Sequence, residues 1–405
     1  MDLSATAAGL DPARAADPAA YAIGGRTPRA AVRPVSYEEV AEALRAAAAD
    51  HFAVVPWGGG AGLEGEEAPP RYDLALDLRA LDRVVEHEPA DYTLTAQCGV
   101  TIESLAAALA ARGQELPIEA PRAARATLGG ALAANAAGPR RIRFGAPRDR
   151  VLGARFALAD GTLARSGGKV VKNVAGYGIH RLLCGSRGGL AVLLEVSLKL
   201  ATAPAARLAL AWGADSRGLA DAARWAAFPR LEPAVFTVVG SEHAPRLPTA
   251  LRAAGGYVVV LGFEDEPARV VELEALAVRA LGPPQGRLEA GDAAAAWPAL
   301  ADLESEMPPG SARVTAHPTP AALAPLLDAE HARALVFHAA GGRLLLAPGL
   351  GADPAEHGFP PIGGTEPKSD GVPQQALLAL RARVRSALDP SGVLAFGERW
   401  ARAGG

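Results

Sequence analysis

Two segments almost bare of side chains carry the clearest chemistry in this sequence. In Val54-Val55-Pro56-Trp57-Gly58-Gly59-Gly60-Ala61-Gly62-Leu63 an apolar run stops at four glycines and an alanine. Successive main-chain N–H groups in such a loop form a concave donor surface that suits a diphosphate, because no side chain holds the ligand off. A plain turn has the same composition. In Thr127-Leu128-Gly129-Gly130-Ala131-Leu132-Ala133-Ala134-Asn135 a loop containing Pro121 leads into a short helix that stops at Gly138-Pro139. A helix N-terminus offers unpaired N–H groups and partial positive charge, a second hold for a diphosphate or a ring carbonyl. Tight packing of small residues against a sheet is the competing reading. A weaker third element, Cys184-Gly185-Ser186-Arg187-Gly188-Gly189-Leu190, precedes a strand and leaves room for a flat ring.

Several function classes are disfavoured by the same residues. Gly60, Gly62 and Gly65 satisfy G-x-G-x-x-G, but Pro69-Pro70 and a strand follow where the nicotinamide-binding mechanism needs a helix. Gly168-Lys169 is followed by Val170, which is no phosphate-binding P-loop. The net charge is -3 with both signs mixed, so no basic face for nucleic acid is expected. Cys98 and Cys184 are too few for the four thiolates of an iron–sulfur cluster, and the eight histidines show no ligand spacing. No basic start precedes an apolar block in residues 1–21, and no apolar run reaches about eighteen residues. A reducing, cytoplasmic setting is expected, with membrane contact only through partners.

The elements that must hold these loops follow from periodicity. Ser36 and Glu39 have capping-box spacing, and Val40, Leu44 and Ala48 share a helical face. Strands are expected over 52–56, 74–78 and 93–97, a helix from Thr101 closed by Gly113, and a hairpin over 151–158 and 162–166 turning at Asp160-Gly161. A strand over 190–200 ends this half, and Pro204 breaks the pattern. Beyond it, strands over 208–212, 235–239, 257–263, 334–337 and 343–346 alternate with alanine-rich helices, which suggests an antiparallel sheet with helices packed on it.

With these motifs placed, the sequence resembles the vanillyl-alcohol-oxidase/para-cresol-methylhydroxylase type of FAD-linked oxidases over about residues 28–203. The resemblance runs through residues 56–63, Thr127-Leu128-Gly129-Gly130, Arg143-Phe144-Gly145-Ala146-Pro147-Arg148-Asp149, Lys172-Asn173-Val174-Ala175-Gly176-Tyr177 and 185–190. It implies an α+β chain: an N-terminal extension (1–27), a two-subdomain PCMH-type FAD-binding domain (28–203), a smaller antiparallel sheet-plus-helices cap (204–365), and a C-terminal helix and tail (366–405) returning towards the FAD domain. It also implies that Trp57, Gly58, Gly59, Gly60, Ala61, Gly62 and Leu63, with Pro121, Thr127, Leu128, Gly129, Gly130 and Asn135, hold FAD by its pyrophosphate. Gly138 and Gly145 would lie near the flavin ring, and Gly188 and Val192 near the adenine.

Departures from the family pattern sharpen the expectation. No histidine lies between His51 and His87, where covalent members often carry one, so FAD is expected to be non-covalent. Gly178 stands where relatives usually have an aspartate, and residues 392–399 look like a degraded form of the family's closing tail. Catalytic relatives have a histidine-rich metal segment, whereas residues 336–343 hold His338 alone. His338, His357, Arg343, Lys368, Lys169 and Lys172 are the unassigned candidates for base and cation. The resemblance thus implies an FAD subunit of a multi-chain 2-hydroxy-acid oxidase of glycolate type, beside a catalytic flavin subunit and an iron–sulfur subunit. A self-sufficient D-2-hydroxy-acid or alcohol oxidoreductase and a scaffold with a vestigial flavin site are the alternatives.

Overall fold

A computed structural model of the chain describes residues 11–64, 66–136, 138–169, 177–215, 228–303, 312–315, 336–338, 343–346 and 374–397. It has helices packed on three main sheets, one partly parallel and two antiparallel, with a small antiparallel pair of β7 (Gln114–Glu115) and β11 (Ala201–Thr202), an α+β arrangement.

The first sheet has four strands in the order β1-β2-β4-β3: β1 (Ala15–Ala16), β2 (Ala30–Val32), β4 (Leu74–Asp77) and β3 (Val54–Trp57). The strands β2, β4 and β3 run parallel, while β1, from the stretch expected to be a mere extension, pairs antiparallel with β2. Helix α1 (Tyr37–Ala49) packs on this sheet through Val40, Ala43, Leu44 and Ala47. The Ser36 hydroxyl accepts from the Glu39 amide at 3.1 Å, as the capping box requires, but the Glu39 carboxylate turns to the Val35 amide (2.8 Å) and to Arg14.

The strand 74–78 reads as alternating, yet Asp77 is fully buried with its leucine neighbours. It is tolerated because its carboxylate accepts from Arg79 (2.9 Å), Arg33 (2.6 Å) and Tyr21 (2.7 Å). Burial alone would push its carboxyl up, but the bonds from Arg79, Tyr21 and Arg33 outweigh that and hold it below the ordinary carboxylate value. A depressed carboxylate stabilises the fold at pH above its unfolded value, about 4, and loses that contribution as pH falls through the folded value. The thermal midpoint should therefore drop on acidification below about pH 4, and Asp77→Asn should start lower at pH 7 and flatten that drop. An unchanged acid slope in the variant would remove Asp77 from this role.

The second sheet is antiparallel, in the order β5-β6-β10-β8-β9: β5 (Val84–Glu88), β6 (Thr93–Gln97), β10 (Val192–Lys199), β8 (Val151–Ala157) and β9 (Leu163–Gly167). The β8–β9 turn falls at Asp160-Gly161, where Gly161 has φ +79° and Asp160 accepts from the Thr162 amide. Lys169, just past one edge strand, donates to Glu86 on the other, so the sheet curls until its edges meet. Helices α2 (Ile102–Ala110) and α3 (Leu128–Ala133) bury Leu105, Leu109, Leu128 and Leu132 against it. The two sheets also share a core, in which Val54 and Leu76 meet Ala157, Val192 and Leu194.

Beyond Pro204 a seven-stranded antiparallel sheet runs β15-β12-β14-β13-β17-β18-β16. Its strands are β12 (Ala206–Ala214), β13 (Val235–Gly240), β14 (Tyr257–Asp265), β15 (Gly286–Glu289), β16 (Ala312–Thr315), β17 (Val336–His338) and β18 (Arg343–Leu346). Alternate residues face opposite helices: Leu208, Leu210 and Phe236 lie under Pro267–Leu281, and Ala209, Ala211 and Val235 under Ala290–Asp302. The strands β15 and β16 were not among the expected elements; their few apolar residues give no alternation long enough to read. A last helix, Gln374–Leu388, leads to a tail that crosses to the first sheet, where Val54 bridges Leu394 in parallel.

Candidate functional site

The loop after β3 leaves the sheet with its first residue turned inward: Trp57 is buried, with its ring edge-on to Tyr21 at 5.2 Å. The next residues face a cleft. Gly58, Gly59, Gly60, Ala61, Gly62 and Leu63 line one wall, and Pro121, Thr127 and Gly130 line the opposite one with Ala131 and Ala134. The open-mouthed cleft encloses a cavity volume of about 120 Å³.

The two walls touch at the glycines. A Cβ on Gly58 would sit 2.2 Å from Thr127 Oγ1, and one on Gly59 only 1.6 Å from the Arg125 carbonyl oxygen. The loop can therefore lie against 125–127 only as glycine. Among the described residues the amides of Gly58, Gly59, Gly60, Ala61 and Gly62 donate to no protein acceptor; the first bonded amide is that of Leu63, to the Gly60 carbonyl. Five consecutive free donors beside the cleft suit the anion cradle that a diphosphate needs.

The helix opposite works differently from its sequence reading. The Leu128 amide donates to the Val100 carbonyl and that of Gly129 to Cys98, both at 2.8 Å, while the Gly130 amide takes Thr127 Oγ1 at 3.2 Å. The start of α3 thus gives the cleft a smooth face of small residues rather than free N–H groups. Its far end is capped from elsewhere, since the Gly185 and Arg187 amides donate to the Leu132 and Ala133 carbonyls.

Charge at the mouth comes from residues that composition alone does not single out. Arg187 lines the cleft and pairs with Glu66 at 2.7 Å; Arg125 binds the Gly59 carbonyl (3.1 Å) and Glu64 (2.9 Å), and Arg122 also reaches Glu64. Phe396, from the C-terminal tail, closes the floor.

Other expected contacts lie behind these walls. Leu128 is fully buried in the core, Gly129 packs on Cys98, and Val192 sits in β10 opposite Ala157. Gly188 packs on Pro56, itself a lining residue, and Gly138 on Glu119. Gly145 lies by Asp149, away from the cleft lining. Asn135 has φ +49° between the lining residues Ala134 and Ala136, and its buried Oδ1 has no partner, an acceptor left for a ligand or water.

Of the base and cation candidates, Lys169 is tied to Glu86, and His338 stands opposite Arg343 across the β17–β18 ladder. Lys172 with the rest of 172–176, His357 and Lys368 lie outside the described residues. Among the described residues no group of three or more His, Cys, Asp or Glu side chains is placed to hold a metal, and no helix is long and apolar enough to cross a membrane.

The FAD binding domain family matches residues 28–167. The chain is 44% identical over 136 residues to the glycolate oxidase subunit GlcE of Escherichia coli, a match covering 33% of this chain and 39% of that protein. It is 35% identical over 177 residues to the D-2-hydroxyglutarate dehydrogenase of Xanthomonas citri, covering 44% and 38%. The chain thus matches about two fifths of the length of these relatives. Among solved structures, p-cresol methylhydroxylase superposes with a TM-score of 0.67 at 14% identity, covering 92% of this chain and 89% of that one. Alkyldihydroxyacetonephosphate synthase gives 0.66 at 16%, covering 91% and 76%. The chain therefore has the fold of p-cresol methylhydroxylase, and its residues 28–167 match the FAD binding domain family, with FAD as the cofactor.

Proposed function

We propose that the chain is the FAD-holding subunit of a multi-chain 2-hydroxy-acid oxidase or dehydrogenase of glycolate type, working with a catalytic flavin subunit and an iron–sulfur subunit. The observation that carries the cofactor site is the run of five free amides, Gly58 to Gly62, pressed against 125–127. FAD bound there would supply two-electron redox chemistry. The chain's own residues would orient it: the loop amides and Arg187 on the diphosphate, and the small face of α3 beside the adjoining part of the ligand. Among the described residues, none of those lining the cleft is a histidine, cysteine or tyrosine, which supports a dissociable flavin. The subunit role rests on the likeness to GlcE, a named subunit.

A second reading is a self-sufficient D-2-hydroxy-acid oxidoreductase, favoured by the longer match to the D-2-hydroxyglutarate dehydrogenase. One preparation separates the two. Purified gently, the chain should show flavin absorption, release the yellow colour into the supernatant on acid precipitation, and fail to reduce a dye with glycolate or D-lactate. Brisk turnover by the lone chain would favour the second reading, and colour retained in the pellet would overturn non-covalent binding.

A further inference from the structure

Outside the cleft, a cluster of ionisable groups among the described residues joins the segments around 115–119 and Arg140 to the seven-stranded sheet. Arg140 is almost fully buried and donates to Glu115 (2.8 Å), to both oxygens of Glu264 (3.2 Å) and to Glu119. Arg207 spans the same gap, to Glu264 at 3.1 Å and Glu115 at 2.8 Å, and the Trp297 indole N–H donates to Glu264 at 2.7 Å. Glu115, Glu119 and Arg140 belong to the first half of the chain; Arg207, Glu264 and Trp297 come from β12, β14 and the helix Ala290–Asp302.

The cluster is fused to the cleft wall. Glu119 immediately precedes the lining residues Ala120 and Pro121, and its carboxylate also accepts from the Arg140 amide at 3.2 Å. Gly138 packs on Glu119 so closely that a Cβ would lie 2.4 Å from the Glu119 Cβ, which locks 138–140 to 119–121. A second tie lies two residues on: the Arg122 amide, at φ +56°, donates to Asp302 at 2.5 Å, at the end of the helix that carries Trp297. The seven-stranded sheet thus holds one wall of the cleft at two points, Glu264 and Asp302.

We propose that Glu264 and Asp302 are positioning residues through which the seven-stranded sheet sets the 119–122 wall, so that seating of that sheet and binding of FAD are one coupled equilibrium. The inference rests on the cleft being the FAD site. A buried network with two discrete states, made or broken, transmits seating of the sheet to the wall, and the coupling is reciprocal. The charge balance makes the test practicable. Three carboxylates face two guanidinium groups, so Glu264→Gln removes the surplus negative charge instead of stranding a cation, and the fold should survive.

FAD titrations of the full-length apoprotein, followed by flavin fluorescence, test this. Glu264→Gln is expected to raise the FAD dissociation constant at least tenfold and to change the visible circular dichroism of the bound flavin. Asp302→Ala, which removes one bond to a main-chain amide, should raise it about fivefold. Trp212→Phe controls for general loss of stability: it breaks the Trp212–Gly282 bond elsewhere in the same sheet and should lower the melting temperature without moving the constant. Constants within threefold of the parent for both Glu264→Gln and Asp302→Ala, or an equal weakening by Trp212→Phe, would overturn the inference while leaving the cofactor site standing. A parent protein that takes up no FAD would sink the cofactor site itself and the coupling with it.

Discussion

Gly59→Ala is expected to abolish FAD binding while leaving the folded chain intact. The added Cβ would lie 1.6 Å from the Arg125 carbonyl oxygen and 2.5 Å from its carbon. Both are main-chain atoms, fixed in turn because the Arg125 and Ala126 amides bond back to the Arg122 carbonyl and the Ala126 carbonyl accepts from Ile102 at the start of α2. The loop must therefore swing into the cleft or away from it, and either movement breaks the row of donors at Gly58 to Gly62. Gly59 itself belongs to no hydrophobic cluster, although Trp57, Ala61 and Leu63 beside it do, so far-UV circular dichroism should be unchanged and the melting temperature of apoprotein nearly so. Gly62→Ala is the matched control, since its Cβ would meet nothing nearer than the Ala134 methyl at 3.9 Å, and its FAD affinity should stay within about threefold. That corresponds to less than about 1 kcal/mol. Equal flavin content in purified Gly59→Ala and parent protein would show that the loop is not the diphosphate cradle.

That contrast also marks how far the sequence could be read. The cradle was legible because glycine at 58–60 and 62 signals main-chain exposure wherever the chain runs. What the opposite segment does was not. Thr127-Leu128-Gly129-Gly130 has the composition of an open helix start, but the carbonyls that occupy its amides come from Cys98 and Val100, a segment its own sequence does not name. Arg140 looks like one of three surface arginines in 140–143, and Glu264 like the polar end of an apolar strand; only the packing of β14 on 115–140 turns them into a buried network. Long-range pairings of this kind leave no local periodicity. Most strands, the Thr101 cap and the Asp160-Gly161 turn did, because hydrophobic alternation and these residues act within a few residues of themselves.

The tail from Asp389 to Gly397 gives the second large effect. Its sequence reads as a degraded motif, yet the segment is built into the first sheet: the Val54 amide donates to the Val393 carbonyl at 2.7 Å, and the Ala395 amide returns a bond to Val54 at 2.9 Å. Val393, Leu394 and Phe396 are buried, and Phe396 lines the cleft across from the glycine loop. One side chain holds this turn, since the buried Asp389 carboxylate accepts from the Val393 amide (2.8 Å) and the Leu394 amide (3.0 Å). Asp389→Ala leaves both amides buried without a partner, at about 1–3 kcal/mol each, so a loss of about 2–5 kcal/mol in unfolding free energy is expected. FAD affinity should fall with it, because Phe396 and the Gly189 backbone it packs on lose their seat beside the loop. Asp389→Asn keeps one carbonyl acceptor and should recover roughly half of the loss. Urea unfolding of the three proteins, with and without FAD, measures both effects. Should Asp389→Ala unfold within about 0.5 kcal/mol of the parent, the range of a plain surface substitution, the tail would be an ornament on the sheet and not part of the cofactor cleft.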